Sequence, residues 1–451
     1  MQSITAKRAL LPDGWHGAVA IDVDANGRIA AIRAAPVAEA CEHDLLLPAP
    51  ANVHSHAFQR AMAGLAEARG TAGGDNFWSW RQRMYQLVER LTPQDLHAIT
   101  ALAQMEMLEA GFASVAEFHY LHRDPNGANY ADVAEMASAV VAASRRSGIG
   151  LTLLPVLYQR GGCDGRALEG AQRRFGNTLH EYQRLLEACQ ALCAHALADF
   201  RVGAAAHSLR AVEASAMIEL SQLPSAQLLH IHAAEQRSEV EEVNACLGAR
   251  PVEWLLRHCG VDARWTIVHA THLLAGELKA LARSGAVAAL CPVTEANLGD
   301  GIFPAGEFAG ENGLWGVGSD SNVEISVAAE LRMLEYSQRL RDQERTRLAA
   351  TGGSSGRFLI EQAVRGGARA LGRGGGGIAL GEYADLMTLD SHDHRYAARR
   401  DDQWLDTWIF ADGGVSEVWA AGRHLVHQGR HVERTAIIAD YRRCLERLRT
   451  W

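Results

Sequence analysis

Eight short apolar runs, separated by longer segments of helical period, constrain this chain more than any other feature. They fall at 50–56, 113–118, 149–157, 200–207, 226–233, 265–270, 286–292 and 314–320. The segment 93–110 shows why the intervening stretches read as helices. Thr92 suits an N-cap, Pro93 the first helical position and Asp95 the first turn. Leu96, Ile99, Leu102 and Met105 line one face, and Gly111 offers a stop. Strand–helix alternation repeated eight times predicts an α/β fold, a closed parallel (β/α)8 or TIM barrel rather than an open sheet.

The two ends of the chain have a different texture. Ala18–Val23 and Arg28–Ile32 flank Asp24-Ala25-Asn26-Gly27, where Asn-Gly between apolar runs signals a hairpin. The Gly-rich stretch 372–377 follows a helical run, so it lacks the strand-to-helix setting of a nucleotide fingerprint and reads as a linker. Ala384–Asp390 and Val415–Ala420 are strand-like again, and 435–450 is helical in pattern. These features predict a small β-sandwich domain built from both chain ends, residues 1–47 and 373–451, around a barrel of residues 48–372.

Composition narrows the partners. A formal charge of −9 without a basic run argues against nucleic acid. No stretch reaches the ~18 uncharged apolar residues of a membrane span, and the first residues carry no long apolar run of a signal peptide. The 8 cysteines include no Cys-x-x-Cys pair, which fits buried thiols in a reducing compartment and a cytoplasmic enzyme.

Chemistry-bearing side chains gather at the ends of the apolar runs. In Asn52-Val53-His54-Ser55-His56, period two points both imidazoles the same way, toward the C-terminal mouth where barrels of this kind carry their sites. Two imidazoles on one face suit zinc. Among 20 histidines one such pair arises easily by chance, but the pattern recurs. His230 and His232 end the fifth run, His269 the sixth and Asp320 the eighth. Taken together, histidines at successive strand ends point to a metal site. Glu235, three residues beyond His232, stands where a general acid/base could reach a water at that site, although the same position suits a solvated carboxylate at a helix start.

The segments Asn52–Arg60, His230–Gln236, Val268–His272, Thr294–Gly301 and Gly381–Leu386 resemble the amidohydrolase superfamily, in particular its single-zinc deaminases and, among these, the formimidoylglutamate deiminase family. The resemblance spans nearly the whole chain. It implies hydrolysis of N-formimino-L-glutamate to N-formyl-L-glutamate and ammonia in histidine degradation, by a homodimer. It implies that His54, His56, His232 and Asp320 hold one zinc ion. Glu235 and His269 become catalytic partners, with Asp320 accepting a proton. Gln59, Arg81, Tyr120, His207 and Arg210 surround the dicarboxylate substrate, with Arg83 a competitor for the place of Arg81. Asn322 departs from the histidine that the pattern leads one to expect. Related two-metal barrels often bridge their ions with a lysine from the fourth strand. Only Lys7 and Lys279 occur here, before the barrel and after its sixth strand, so one metal is expected.

Two rival readings differ in observable ways. A deaminase of a nucleobase or another cyclic amidine would keep the metal set and lack the arginine grips for carboxylates. A non-catalytic barrel would need neither set.

Overall fold

The computed structural model describes residues 2–35, 37–68 and 77–449. The chain opens with strands β1 (Gln2–Leu11), β2 (Gly14–Val23), β3 (Ile29–Ala34) and β4 (His43–Pro48). The barrel strands follow: β5 (Ala51–Ser55), β6 (Ser114–His119), β7 (Gly150–Leu157), β8 (Arg201–Val202), β9 (Ala204–Ala206), β10 (Leu229–Ala233), β11 (Trp265–His269), β12 (Val287–Leu290) and β13 (Leu314–Val317). The last strands are β14 (Leu386–Leu389), β15 (Glu417–Ala420), β16 (Arg423–His427) and β17 (Arg430–His431).

The eight predicted runs supply the barrel. Its hydrogen-bonded order is β5, β6, β7, β9, β10, β11, β12, β13, with β8 also paired to β7, and every pairing is parallel. Gly203 stands between β8 and β9 in the fourth run, where a Cβ would lie 2.7 Å from the Leu154 side chain. A parallel bridge between Ser55 and Asp320 closes the ring. The anticipated helix spans Pro93–Glu109, with Thr92 and Asp95 forming a reciprocal capping box.

Both chain ends meet in a second sheet, ordered β17, β16, β15, β14, β4, β1, β2, β3. It folds back on itself as a sandwich does, and Val23 and Gly27 approach Gly422. Ile4, Ile21, Ile29, Leu46, Leu386 and Trp419 fill the core enclosed by that fold. The chain ends are tied to the barrel by Arg373, whose buried guanidinium bonds both oxygens of Asp385 at 3.0 Å and the Asp199 carbonyl at 3.0 Å. Asp385 also accepts from Ala421 N–H, so the Ala384-Asp385-Leu386 segment is the joint between sheet and barrel.

Candidate active site and metal centre

The C-terminal mouth of the barrel holds the polar cluster that the strand ends led one to expect. The period of two brings the His54 and His56 Nε2 atoms to 3.1 Å, and His232 Nε2 lies 3.0 Å from His54 Nε2. Asp320 Oδ1 completes the group, 3.5 Å from His54 and 3.3 Å from His56. All four residues are buried. Backbone closure places Asp320: its N–H donates to His54 O and its carbonyl accepts from His56 N–H, both at 2.9 Å. Gly318 permits this approach, since a Cβ there would fall 2.6 Å from His54 N. Five residues at this mouth, Ala234, His269, Ala270, Asp320 and Asn322, have positive φ, a concentration of backbone strain of the kind found at functional sites.

This donor set fits a single cation. The outer Nδ1 of His56 faces the Phe118 carbonyl at 3.0 Å, and that of His232 faces the His207 carbonyl at 2.9 Å. Each Nδ1 is therefore the protonated nitrogen, and each inner Nε2 presents a bare lone pair. Two lone pairs and a carboxylate oxygen converging on His54 Nε2 call for a positive charge among them. Burial holds His54 down at about 3, so its neutral, ligating form prevails. Desolvation pushes against the Asp320 anion, but the hydrogen bond and charges of the imidazoles outweigh it and hold Asp320 well below the usual carboxylate range. The two lysines are elsewhere, Lys7 on Asp44 at 2.7 Å and Lys279 near Glu311 at 3.6 Å.

Beside the ligand set stand two groups able to move or steady a proton. Glu235 Oε1 and Asp320 Oδ2 each lie 3.9 Å from His269 Nε2. Burial raises Glu235 to about 7, against the pull of His269. Burial opposes the charged form of His269 too, yet the facing carboxylates Glu235, Glu295 and Asp320 raise it to about 10. Glu295, on the helix Pro292–Leu298, faces His269 Nδ1 at 3.2 Å and accepts from Cys291 N–H at 2.9 Å, which aims the ring.

A small cavity opens over these groups and is lined also by Gln59, Arg81, Tyr120, His207 and Arg210. Gln59 Nε2 donates to the Tyr120 hydroxyl at 2.9 Å. Arg81 reaches the Tyr158 hydroxyl at 3.1 Å, while Arg83 turns away to the carbonyls of Leu65 and Ala68. Arg81 therefore lines the cavity and Arg83 does not. Arg210 is 7% exposed, its Nε has no hydrogen-bond partner, and its guanidinium lies over the Trp78 ring. Among the described residues neither Arg81 nor Arg210 has a carboxylate in salt-bridge range. Asn322 sits just behind the centre. Its Oδ1 accepts from Ser319 Oγ at 2.6 Å, and its Nδ2 donates to Ser55 Oγ at 3.2 Å and to Asp320 O at 3.0 Å. Asparagine tolerates the left-handed conformation that this place requires.

Sequence reasoning passed over Tyr158, Glu295 and the aromatic wall of Phe77 and Trp80. No local motif marks them, though Glu295 lies in the segment 294–301 that carried part of the resemblance. His230 shares a face with His232 but lies a full repeat deeper, and its Nε2 is taken by the Ala370 carbonyl at 2.9 Å.

Comparison with known proteins agrees with this geometry. A family model described as "Amidohydrolase family" matches residues 45–425, and one described as the N-terminal domain of formimidoylglutamate deiminase HutF matches residues 1–44. Formimidoylglutamate deiminase of Pseudomonas aeruginosa is 47% identical over 97% of both chains. A crystal structure of an amidohydrolase from Brucella melitensis superposes with a TM-score of 0.95 at 46% identity, covering 99% of this chain and 100% of the other. A zinc-bound adenosine deaminase from Xanthomonas campestris shares the fold, with a TM-score of 0.82 at 21% identity over 100% and 98% of the two chains. The chain belongs to the amidohydrolase family and is closely related within it to formimidoylglutamate deiminase.

Proposed function

We propose that this protein is a zinc-dependent deaminase that hydrolyses N-formimino-L-glutamate to N-formyl-L-glutamate and ammonia, in histidine degradation. The observation that carries the substrate class is the pair of guanidiniums at the cavity, Arg81 and Arg210: neither forms a salt bridge with a described carboxylate, and Arg210 feels Glu235 and Glu239 only at longer range. A guanidinium withdrawn from water costs free energy unless an anion meets it, and a substrate with two carboxylates supplies one for each. Relatedness to a formimidoylglutamate deiminase supports the same choice. A cyclic amidine brings neutral acceptors to these arginines but no carboxylate.

His54, His56, His232 and Asp320 would hold the ion. When bound it acts as a Lewis acid that makes water a better nucleophile near neutral pH. The protein's own groups do the rest. Gln59 and Tyr120 orient the substrate, and His207, Arg81 and Arg210 bind it. Asp320 accepts one proton as the water oxygen bonds to the formimino carbon. Protonated Glu235 delivers a proton to the imine nitrogen, which receives the electron pair of the C=N bond. His269 donates a hydrogen bond to the incoming oxygen and steadies its developing charge. Glu235 then carries the hydroxyl proton to the amino nitrogen. The carbon–nitrogen bond breaks, the carbonyl forms, and ammonia leaves. The proton on Asp320 restores Glu235. A carboxyl raised toward 7 suits these alternating roles.

The division into end domain (1–47 and 373–451) and barrel (48–372), a homodimeric state and a cytoplasmic location are part of the same proposal. The homodimer follows from the resemblance, the domain division from the strand-like texture of the two chain ends, and the location from the scattered, unpaired cysteines. Among the described residues, no helix is long and apolar enough to cross a membrane. The deciding experiment measures ammonia release from N-formimino-L-glutamate beside guanine, cytosine and adenosine. Turnover of N-formimino-L-glutamate alone is expected; preference for a cyclic amidine would overturn the assignment.

A further inference from the structure

A second group of ligating side chains lies outside the barrel, on the β15–β16 hairpin. Glu417 Oε2 is 2.8 Å from His424 Nε2 and 3.2 Å from His427 Nδ1. The three candidate donor atoms all lie within 4.8 Å of one another. His424 and His427 are three residues apart in one strand, a spacing that ordinarily sends side chains to opposite faces. Here the register slips. Val418 pairs with Val426 but Trp419 pairs with His424, so Leu425 is an extra residue. The bulge resets the alternation and turns both histidines to the face that carries Glu417 and Trp419.

The neighbourhood holds the set in place. Glu417 Oε1 is occupied by Gln428 N–H at 2.9 Å and by the Ser416 hydroxyl at 3.2 Å, which leaves Oε2 to face both imidazoles. The Trp419 ring stacks on His424 with centroids 4.2 Å apart and planes inclined by 17°. The two imidazole centroids are only 3.7 Å apart, too close for both rings to carry charge comfortably. Burial lowers His424 below its ordinary value in spite of the Glu417 carboxylate, which favours the neutral, ligating ring. The His427 side chain is 52% exposed, so one side of the group is open to solvent.

We propose that Glu417, His424 and His427 form a second site for a divalent transition metal, zinc by preference, which staples the β15–β16 hairpin. Two imidazole nitrogens and one carboxylate oxygen are a donor set that zinc accepts, with water completing a tetrahedron. Ligands ~2.0–2.2 Å from a tetrahedral ion lie roughly 3.3 Å from one another, and the two distances to Glu417 require little movement to reach that. The proposal does not rest on the deaminase reading, since none of its residues touches the barrel mouth.

The test starts from the zinc-loaded full chain. Equilibrium dialysis against micromolar Zn2+, with metal counted by mass spectrometry, compares the unaltered protein with Glu417→Gln, His427→Asn and the double variant His424→Ala/His427→Ala. The unaltered chain is expected to hold one zinc more than the double variant. Each single variant should bind that additional ion at least tenfold more weakly. Added Zn2+ should raise the melting temperature of the unaltered chain but not of His427→Asn, with ammonia release unchanged. His427→Asn changes a largely exposed side chain and guards against a folding defect. An equal zinc count in all four proteins would overturn the proposal and leave Glu417 as the acceptor of a simple charge-assisted hydrogen bond.

Discussion

Glu235→Gln separates the two duties that this barrel mouth performs, holding an ion and moving protons. The substitution keeps the volume of a side chain that is 9% exposed and removes only its ability to exchange a proton. Glu235 is not among the four converging ligands, so metal content should not change. One general acid/base group contributes about 10²–10⁴ in rate, and Glu235 serves two transfers, which puts the expected loss near the upper end. A loss of about 10³–10⁴ corresponds to ~4–5.5 kcal/mol of barrier. Stability should move the other way. A carboxyl raised from 4.5 to about 7 in the fold gives its full stability below the unfolded value and loses it as pH rises through the folded one. Above pH ~7 the glutamine variant of the metal-free protein should therefore be spared that loss, an effect offset in part because Glu235 also supports the charge on His269. The assay is ammonia release at saturating N-formimino-L-glutamate, with zinc content and melting temperature measured on the same preparation. A variant with full zinc and a rate within tenfold of the unaltered protein would refute the proton-transfer role. Lost zinc would refute the structural premise, and a metal-free variant that melts no differently from the unaltered metal-free protein on either side of pH 7 would refute the stability argument.

Three further outcomes are expected. Arg210→Met should raise KM for N-formimino-L-glutamate by roughly 10–100-fold through loss of a charge-assisted pair, and an equal loss on a substrate without carboxylates would show that the arginine supports folding instead. Arg373→Met should cost about 2–3 kcal/mol, because it leaves the partly buried Asp385 carboxylate without its bidentate partner; an unchanged denaturant midpoint would contradict this, although Arg423, 2.7 Å from Asp199, softens the effect there. Burial holds His122 neutral, pushed down to about 4 with Nε2 donating to the Val156 carbonyl. Its contribution is present above the unfolded value near 6.5 and is lost as pH falls toward 4, up to about 3 kcal/mol. Melting curves from pH 7 to 4 should therefore be flatter for His122→Gln, and parallel curves would count against the assignment.

What the sequence determined by itself is whatever depends on short-range periodicity. Period two placed His54 and His56 on one face, and apolar runs ending in His232, His269 and Asp320 marked the strand termini at which a barrel gathers its chemistry. Asn-Gly marked the β2–β3 hairpin, and Thr92 with Asp95 marked a helix start. Only the tertiary structure decided which of these groups meet. Asp320 joins His54 and His56 because the last strand closes on the first, across more than half the chain, where Gly318 lets the two backbones touch. Arg81 reaches Tyr158 while Arg83 does not, because the two lie on different sides of the helix Phe77–Val88. Glu295 meets His269, and Glu417 meets two histidines across a bulge, through packing and register that no local pattern encodes. Periodicity sets the direction in which a side chain leaves its own strand, whereas a site is an intersection of several such directions. That intersection exists only once strand order, register and closure have been fixed by burial of the whole core.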